Sequence, residues 1–383
     1  MRAHIHALAL LALMAGALGF QVRELFVIFM PLALVPMWPF DPLLYLPPPQ
    51  IPMTMKAPGA GKKVLIIGGT RFSGLYLFKE LHDRGYDITL FNRGKTANRP
   101  VPGESAESYA ERIGQATFVK GDRTNPDDLA ALAKAHEFDV IYDMNGREKT
   151  DTQPLADAYN GRVDHFVYMS SAGVYLKSDL MPHKETDPVD PKSRHKGKFE
   201  TETYLAEKGL PFTSIRPTYI YGPQNYNPLE EYFFHRVVAG RAVAVPGHGQ
   251  HLTGLGHVKD LATAMAQVIG REQAKGQVYN VQHPQAITFD GAVRLAAKAA
   301  GKDPESVEIV HYDPKEYDFG KKKAFPMRPQ HFFTSVEKAM RDLDWTPAYG
   351  NTEGWQDSFD QDYALRTHEP DFECDEVVLA GKK

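Results

Sequence analysis

At 383 residues the chain can build one large or two modest domains with a substantial core. Its 43% hydrophobic and 24% charged residues are ordinary for a globular protein. A formal charge of −4 excludes a global basic field, and the single cysteine, Cys374, excludes an internal disulfide or a cysteine metal site.

The N-terminus reads as an address. Met1-Arg2 precedes an apolar run from Ala7 to Leu18, and the small residues Ala15, Ala17 and Gly19 offer a cleavage point before Phe20. Residues 1–19 are therefore expected to be a signal peptide and 20–60 a targeting and linker segment. A second apolar stretch, Leu25 to Phe40, is short for a membrane span and is broken by Pro31, Pro36 and Pro39, so no stable span is expected.

From Lys62 strand and helix patterns alternate. Val64–Ile67 is a fully apolar run, as a buried parallel strand requires. Further strands are expected at Tyr86–Phe91, Ala116–Lys120, Val140–Asp143, His165–Met169 and Phe212–Ile215, with helices over Ser73–Arg84 and Pro126–His136. This order predicts an α/β fold, a Rossmann-like doubly wound parallel sheet, with a smaller mixed C-terminal substrate lobe. The expected boundaries are 61–220 for the nucleotide-binding domain, 221–365 for the interleaved lobe and 366–383 for a tail.

The turn after the first strand, Gly68-Gly69-Thr70-Arg71-Phe72-Ser73-Gly74, lies where a dinucleotide pyrophosphate would sit. Arginine replaces the middle glycine of the usual spacing. A turn that merely joins strand to helix is the alternative. Arg93 and Lys95 stand where NAD enzymes carry an acidic residue, and would favour NADP over NAD; solvated loop charges are the alternative.

Two basic runs follow: Lys192, Arg194, His195, Lys196 and Lys198, then Lys321, Lys322 and Lys323 ahead of Phe325, Phe332 and Phe333. Cations contact phosphates and aromatics stack on unpaired bases, as hairpin recognition needs. Each run taken alone is equally a solvated face, and such phenylalanines are commonly core. His195 has the chemistry of an acid or base near neutral pH. Asp122, Asp143 and Asp260 are carboxylates suited to a hard cation, but they lack diagnostic spacing, so no metal site is assigned.

Tyr168-Met169-Ser170-Ser171-Ala172-Gly173-Val174-Tyr175 resembles the strand-end serine motif of extended short-chain dehydrogenases/reductases, the NAD-dependent epimerase/dehydratase type. Arg216-Pro217 to Tyr221-Gly222-Pro223, His257-Val258-Lys259-Asp260-Leu261-Ala262, and Glu337-Lys338-Ala339 with Trp345 and Pro347 resemble later family segments. Where the family places Tyr-x-x-x-Lys, this chain has Arg194-His195-Lys196-Gly197-Lys198. Arginine stays protonated and cannot exchange the phenol's proton. The resemblance implies that Ser171 and Lys198 survive from the catalytic set, as substrate orienter and ribose ligand, and that Asp122 sits at the adenine-contacting position. Tyr175, Tyr219 or Tyr221 would have to supply a new phenol for NAD(P)-dependent epimerase, dehydratase or reductase chemistry.

Gly68–Phe72, Ser170–Ser178, Asp190–Lys198, Tyr221–Pro228 and Asp318–Pro326 resemble the chloroplast stem-loop binding branch of that family. This resemblance implies RNA stem-loop binding in the plastid and magnesium-dependent endoribonuclease activity. It also implies contacts with ribosomal or transcription complexes and oligomers with family members. A signal peptide ending at phenylalanine is similar to the first part of a two-part plastid address, although residues 20–50 contain no Ser or Thr. The secretory pathway is the alternative destination.

Overall fold

Lys63–Ile67 forms the central strand β1, and its last four residues are buried on both faces, which explains their unbroken apolarity. Each such aliphatic side chain contributes about 1.5–3 kcal/mol by leaving water. The computed structural model describes residues 61–381; the expected signal peptide, targeting segment and second apolar stretch lie outside the described residues. Among those described, no helix is long and apolar enough to cross a membrane.

Strands β2 (Asp87–Asn92), β3 (Thr117–Lys120), β4 (Val140–Asp143), β5 (His165–Met169) and β6 (Phe212–Pro217) join β1 in a parallel sheet. A seventh strand, Gln277–Val281, comes from the lobe's part of the sequence and pairs parallel to β6. The sheet order is Gln277–Val281, β6, β5, β4, β1, β2, β3. Strand order reverses between β1 and β4, where a crevice opens at the carboxyl ends of a doubly wound sheet. The expected fold class is therefore the observed one.

Two apolar layers sandwich the sheet. One unites Val64, Ile66 and Tyr142 with the helix Val258–Gln267 and Trp345. The other packs Leu65, Ile141 and Tyr168 against the helices Pro126–Ala135 and Lys149–Tyr159. Asn125 caps the first of these by accepting from the Asp127 amide, with Pro126 opening the helix. A separate cluster built on Phe233, Phe234, Phe289 and Trp355 forms the core of the later residues.

Phe325 and Phe332 are buried, so they do not present faces for base stacking. Phe325 packs edge-on against Tyr232 and Phe233, and Phe332 against Tyr219. The commonplace reading of those rings is the correct one, because apolar area is worth more inside than on a solvated lobe.

Candidate functional site: a nucleotide groove beside a cationic pocket

The turn after β1 is fixed by sterics. Gly68 has φ +92, and a Cβ at Gly74 would run into the Gly68 carbonyl, so the first and third glycines hold the helix Phe72–Asp83 close to the strand. Arg71, at the middle position, caps that helix with an extended backbone and lays its guanidinium 4.6 Å from the centroid of the exposed Tyr226 ring.

A groove of about 480 Å³ runs from this turn along the strand ends. Gly68, Arg71, Gly74, Arg93, Lys95 and Asp122 all line it. Gly69 instead packs inward, where a Cβ would strike Leu90, and Phe72 belongs to a buried cluster with Leu75 and Val258. Asp122 accepts from the amide and hydroxyl of Thr124, which hold its carboxyl below the usual range, with Arg93 and Lys95 nearby.

The groove floor carries a group that motif reading missed. Arg123 grips both oxygens of the fully buried Asp143 and also donates to Asn145 Oδ1. Burial opposes ionisation of Asp143, but the charge and hydrogen bonds of Arg123, with Thr152, keep its carboxyl below the ordinary range. That carboxylate also accepts the Gly146 amide, so it is saturated and unavailable to a metal. Asp260 likewise accepts the amides of Ala348 and Tyr349. Among the described residues, Asp122, Asp143 and Asp260 do not form a metal-binding group.

The residues fit a dinucleotide at one end. The glycine turn would take the pyrophosphate, Arg93 or Lys95 a 2′-phosphate, and Asp122 the adenine. At the other end the family's proton-transfer apparatus is missing. Lys198 turns inward and donates to the carbonyls of Gly146 and Met169. Burial lowers it to about 8 against the pull of Asp143, and it remains largely protonated at neutral pH. The Ser171 hydroxyl accepts the Gly173 amide and caps the short turn Ala172–Val174.

Burial raises the pKa of all three candidate tyrosines, away from that of a phenol poised for proton exchange. Tyr175 is buried and donates to Asn280, and burial pushes it up to about 12. Tyr221 is wholly buried against His257 and Trp355. The Tyr219 hydroxyl accepts the Arg328 amide, and burial raises its pKa.

Beyond this end lies a second pocket of about 400 Å³, lined by Lys177, Arg194, Lys323 and Arg328 together with Tyr219 and Asp190. It brings one member of each basic run together and adds two cations from outside both. Arg194 donates from Nε to Nε2 of His195 at 3.1 Å, and that imidazole packs against Gly173, where a Cβ would collide with the ring. Burial, then Arg194 and Arg328, push His195 down to about 4. It is therefore neutral near pH 7 and lacks the imidazolium proton that a general acid would give. Burial, reinforced by Arg194, also lowers the pKa of Lys323.

The other basic residues part company. Lys192 and Lys196 are exposed, as is Lys321 on the second run. Lys322 faces away and pairs with Asp371 at 2.7 Å and with Glu373.

The model of the NAD dependent epimerase/dehydratase family matches residues 64–281, and the chain belongs to that family. Within it, the chain is 51% identical over 324 residues to the Arabidopsis thaliana chloroplast stem-loop binding protein of 41 kDa b, covering 84% of this chain and 85% of that protein. The branch resemblance carried by the short motifs thus extends through most of the sequence. UDP-glucose 4-epimerase of Corynebacterium glutamicum is 23% identical over 317 residues, with 75% of this chain and 91% of that protein covered.

Among solved structures, dTDP-glucose 4,6-dehydratase of Bacillus anthracis in complex with NAD superposes with TM-score 0.62 at 20% identity, over 80% of this chain and 97% of that one. UDP-glucose 4-epimerase of Thermotoga maritima with UDP-glucose gives TM-score 0.62 at 19% identity, over 77% and 97%. These two likenesses show the fold.

Proposed function

We propose that this chain binds RNA stem-loops in the plastid and seats RNA phosphates in the pocket of Lys177, Arg194, Lys323 and Arg328. The observation that carries the reading is Arg194, a permanent cation in place of the family's proton-transferring phenol. None of the four cations forms a salt bridge among the described residues, although Asp190 attracts Arg328, and an incoming polyanion would relieve the repulsion of Arg194 with Lys323 and Arg328. The relative at 51% identity is named for stem-loop binding and for the chloroplast, which supports both the ligand and the destination.

Magnesium-dependent endoribonuclease activity, contacts with plastid ribosomes or transcription complexes, and oligomers with other family members are finer parts of the same proposal. The test is equilibrium binding to an RNA hairpin across a salt series, against duplex DNA, with magnesium added and withheld. Hairpin preference with a steep salt slope is the expected result. Weak binding without preference would sink the reading.

The groove from Gly68 to Asp122 favours a second reading, an NADP- or NAD-dependent nucleotide-sugar epimerase, dehydratase or reductase. Cofactor fluorescence titration and turnover of nucleotide sugars, with Ser171→Ala as control, separate the two. Ser171-dependent turnover would favour the enzyme.

A further inference from the structure

Away from the groove and the cationic pocket, three acceptor atoms converge where the chain's last segments meet an earlier helix. Glu231 and His235 lie one turn apart on the helix Glu231–Val238, and His368 follows the helix Asn351–Gln361. Glu231 Oε2 is 3.7 Å from His235 Nε2 and 3.9 Å from His368 Nδ1. One ligand atom from each of the three residues falls within 4.8 Å of the others.

The outer atoms of all three groups are already engaged. His368 Nε2 lies 2.8 Å from the Tyr363 carbonyl, which only accepts, so the neutral ring carries its proton there and Nδ1 bears a lone pair. His235 Nδ1 is 3.0 Å from the Tyr363 hydroxyl, which leaves Nε2 for the centre. Arg366 holds the other carboxylate oxygen of Glu231, Oε1. The separations between carboxylate and imidazoles exceed hydrogen-bond reach, so the inward atoms do not satisfy one another.

We propose that Glu231 Oε2, His235 Nε2 and His368 Nδ1 are a three-ligand site for a borderline divalent transition-metal ion of the zinc class. Two imidazoles and one carboxylate select such an ion over magnesium or calcium, which prefer oxygen. Metal–ligand bonds of about 2.0–2.1 Å place tetrahedral ligands roughly 3.3 Å apart, so the two carboxylate–imidazole gaps need contract by only about half an ångström. Tyr363 and Arg366 supply the outer hydrogen bonds that orient metal ligands.

Glu231 and His235 also line a cleft of about 330 Å³ with Lys322 and Asp371, the route by which the ion would enter. The bound ion would staple His368 to the helix Glu231–Val238, independently of any RNA.

The test loads the full chain, stripped with chelator, with zinc, desalts it and measures bound metal, then repeats the loading with cobalt and records its visible spectrum. One zinc per chain and a tetrahedral cobalt band are expected. His235→Ala or His368→Ala should weaken zinc binding at least about a hundredfold. Glu231→Gln should weaken it too while leaving both rings in place. Zinc should raise the thermal midpoint of the unmodified chain and of no ligand variant. Failure of the unmodified chain to retain zinc would overturn the site, as would unchanged retention in the folded Glu231→Gln and His368→Ala proteins.

Discussion

The groove and the cationic pocket are both rich in basic side chains, but Arg123 in the groove and Arg194 in the pocket are held in opposite ways. In the groove, Arg123 is bound on both arms to Asp143, and the glycine turn is locked by backbone contact. In the pocket, Arg194 leans only on a neutral imidazole, and Lys323 donates only to the Pro326 carbonyl. Arg123 completes the fold, whereas Arg194 and Lys323, like Arg93 and Lys95 in the groove, form no salt bridge among the described residues.

The comparison breaks first at Arg123. Arg123→Met should strand the Asp143 carboxylate and cost about 3–5 kcal/mol in urea unfolding; a loss below about 1 kcal/mol would mean that the pair is not structural. Next is the pocket. Arg194→Ala with Lys323→Ala should weaken hairpin binding about tenfold or more and reduce the salt slope by about 2, one for each cation, while thermal stability holds. An unchanged slope would place the RNA elsewhere.

His195 gives a smaller effect with a defined sign. Its folded pKa, about 4, is below its ordinary 6.5, so the unfolded chain takes up the proton first. The stability of the unmodified chain should therefore fall as pH drops from about 6.5 to about 4, and relative to His195→Gln it should fall further. Parallel pH curves for the two proteins would contradict the burial of a neutral ring. The smallest effect is expected at Lys322, whose ion pairs with Asp371 and Glu373 occupy it: Lys322→Ala should change hairpin affinity within about twofold.

Much of the sheet was legible because parallel strands buried on both faces leave short apolar runs between turn signals, as in Val64–Ile67 and His165–Met169. The helix Ala106–Gln115 was not, and its one wholly buried residue explains why. That residue is Arg112, which pairs with Glu104 out of contact with solvent and lies over the Phe78 ring, so the core-facing position reads as polar. The strand Gln277–Val281 was hidden too, since its place beside β6 is set by packing across a long intervening stretch.

At the site, the exchange of tyrosine for Arg194 was visible in the motif. The meeting of Arg194 with Lys323 was not, and neither were Lys177 and Arg328 as partners, because only the folded chain brings those segments together. The same is true of Lys322, whose acidic partners come from the C-terminal segment.

The strand Gln277–Val281 also bears on how the molecule is made. β6 is buried along all six of its residues, yet its outer neighbour is not synthesised until residue 281. On the ribosome, β6 therefore emerges as an open sheet edge that the rest of the nascent chain must reach before another molecule does. A fragment ending at residue 220 would keep that edge for good. It should self-associate, so the two halves of this protein are one unit in biogenesis however separate their surfaces are in use.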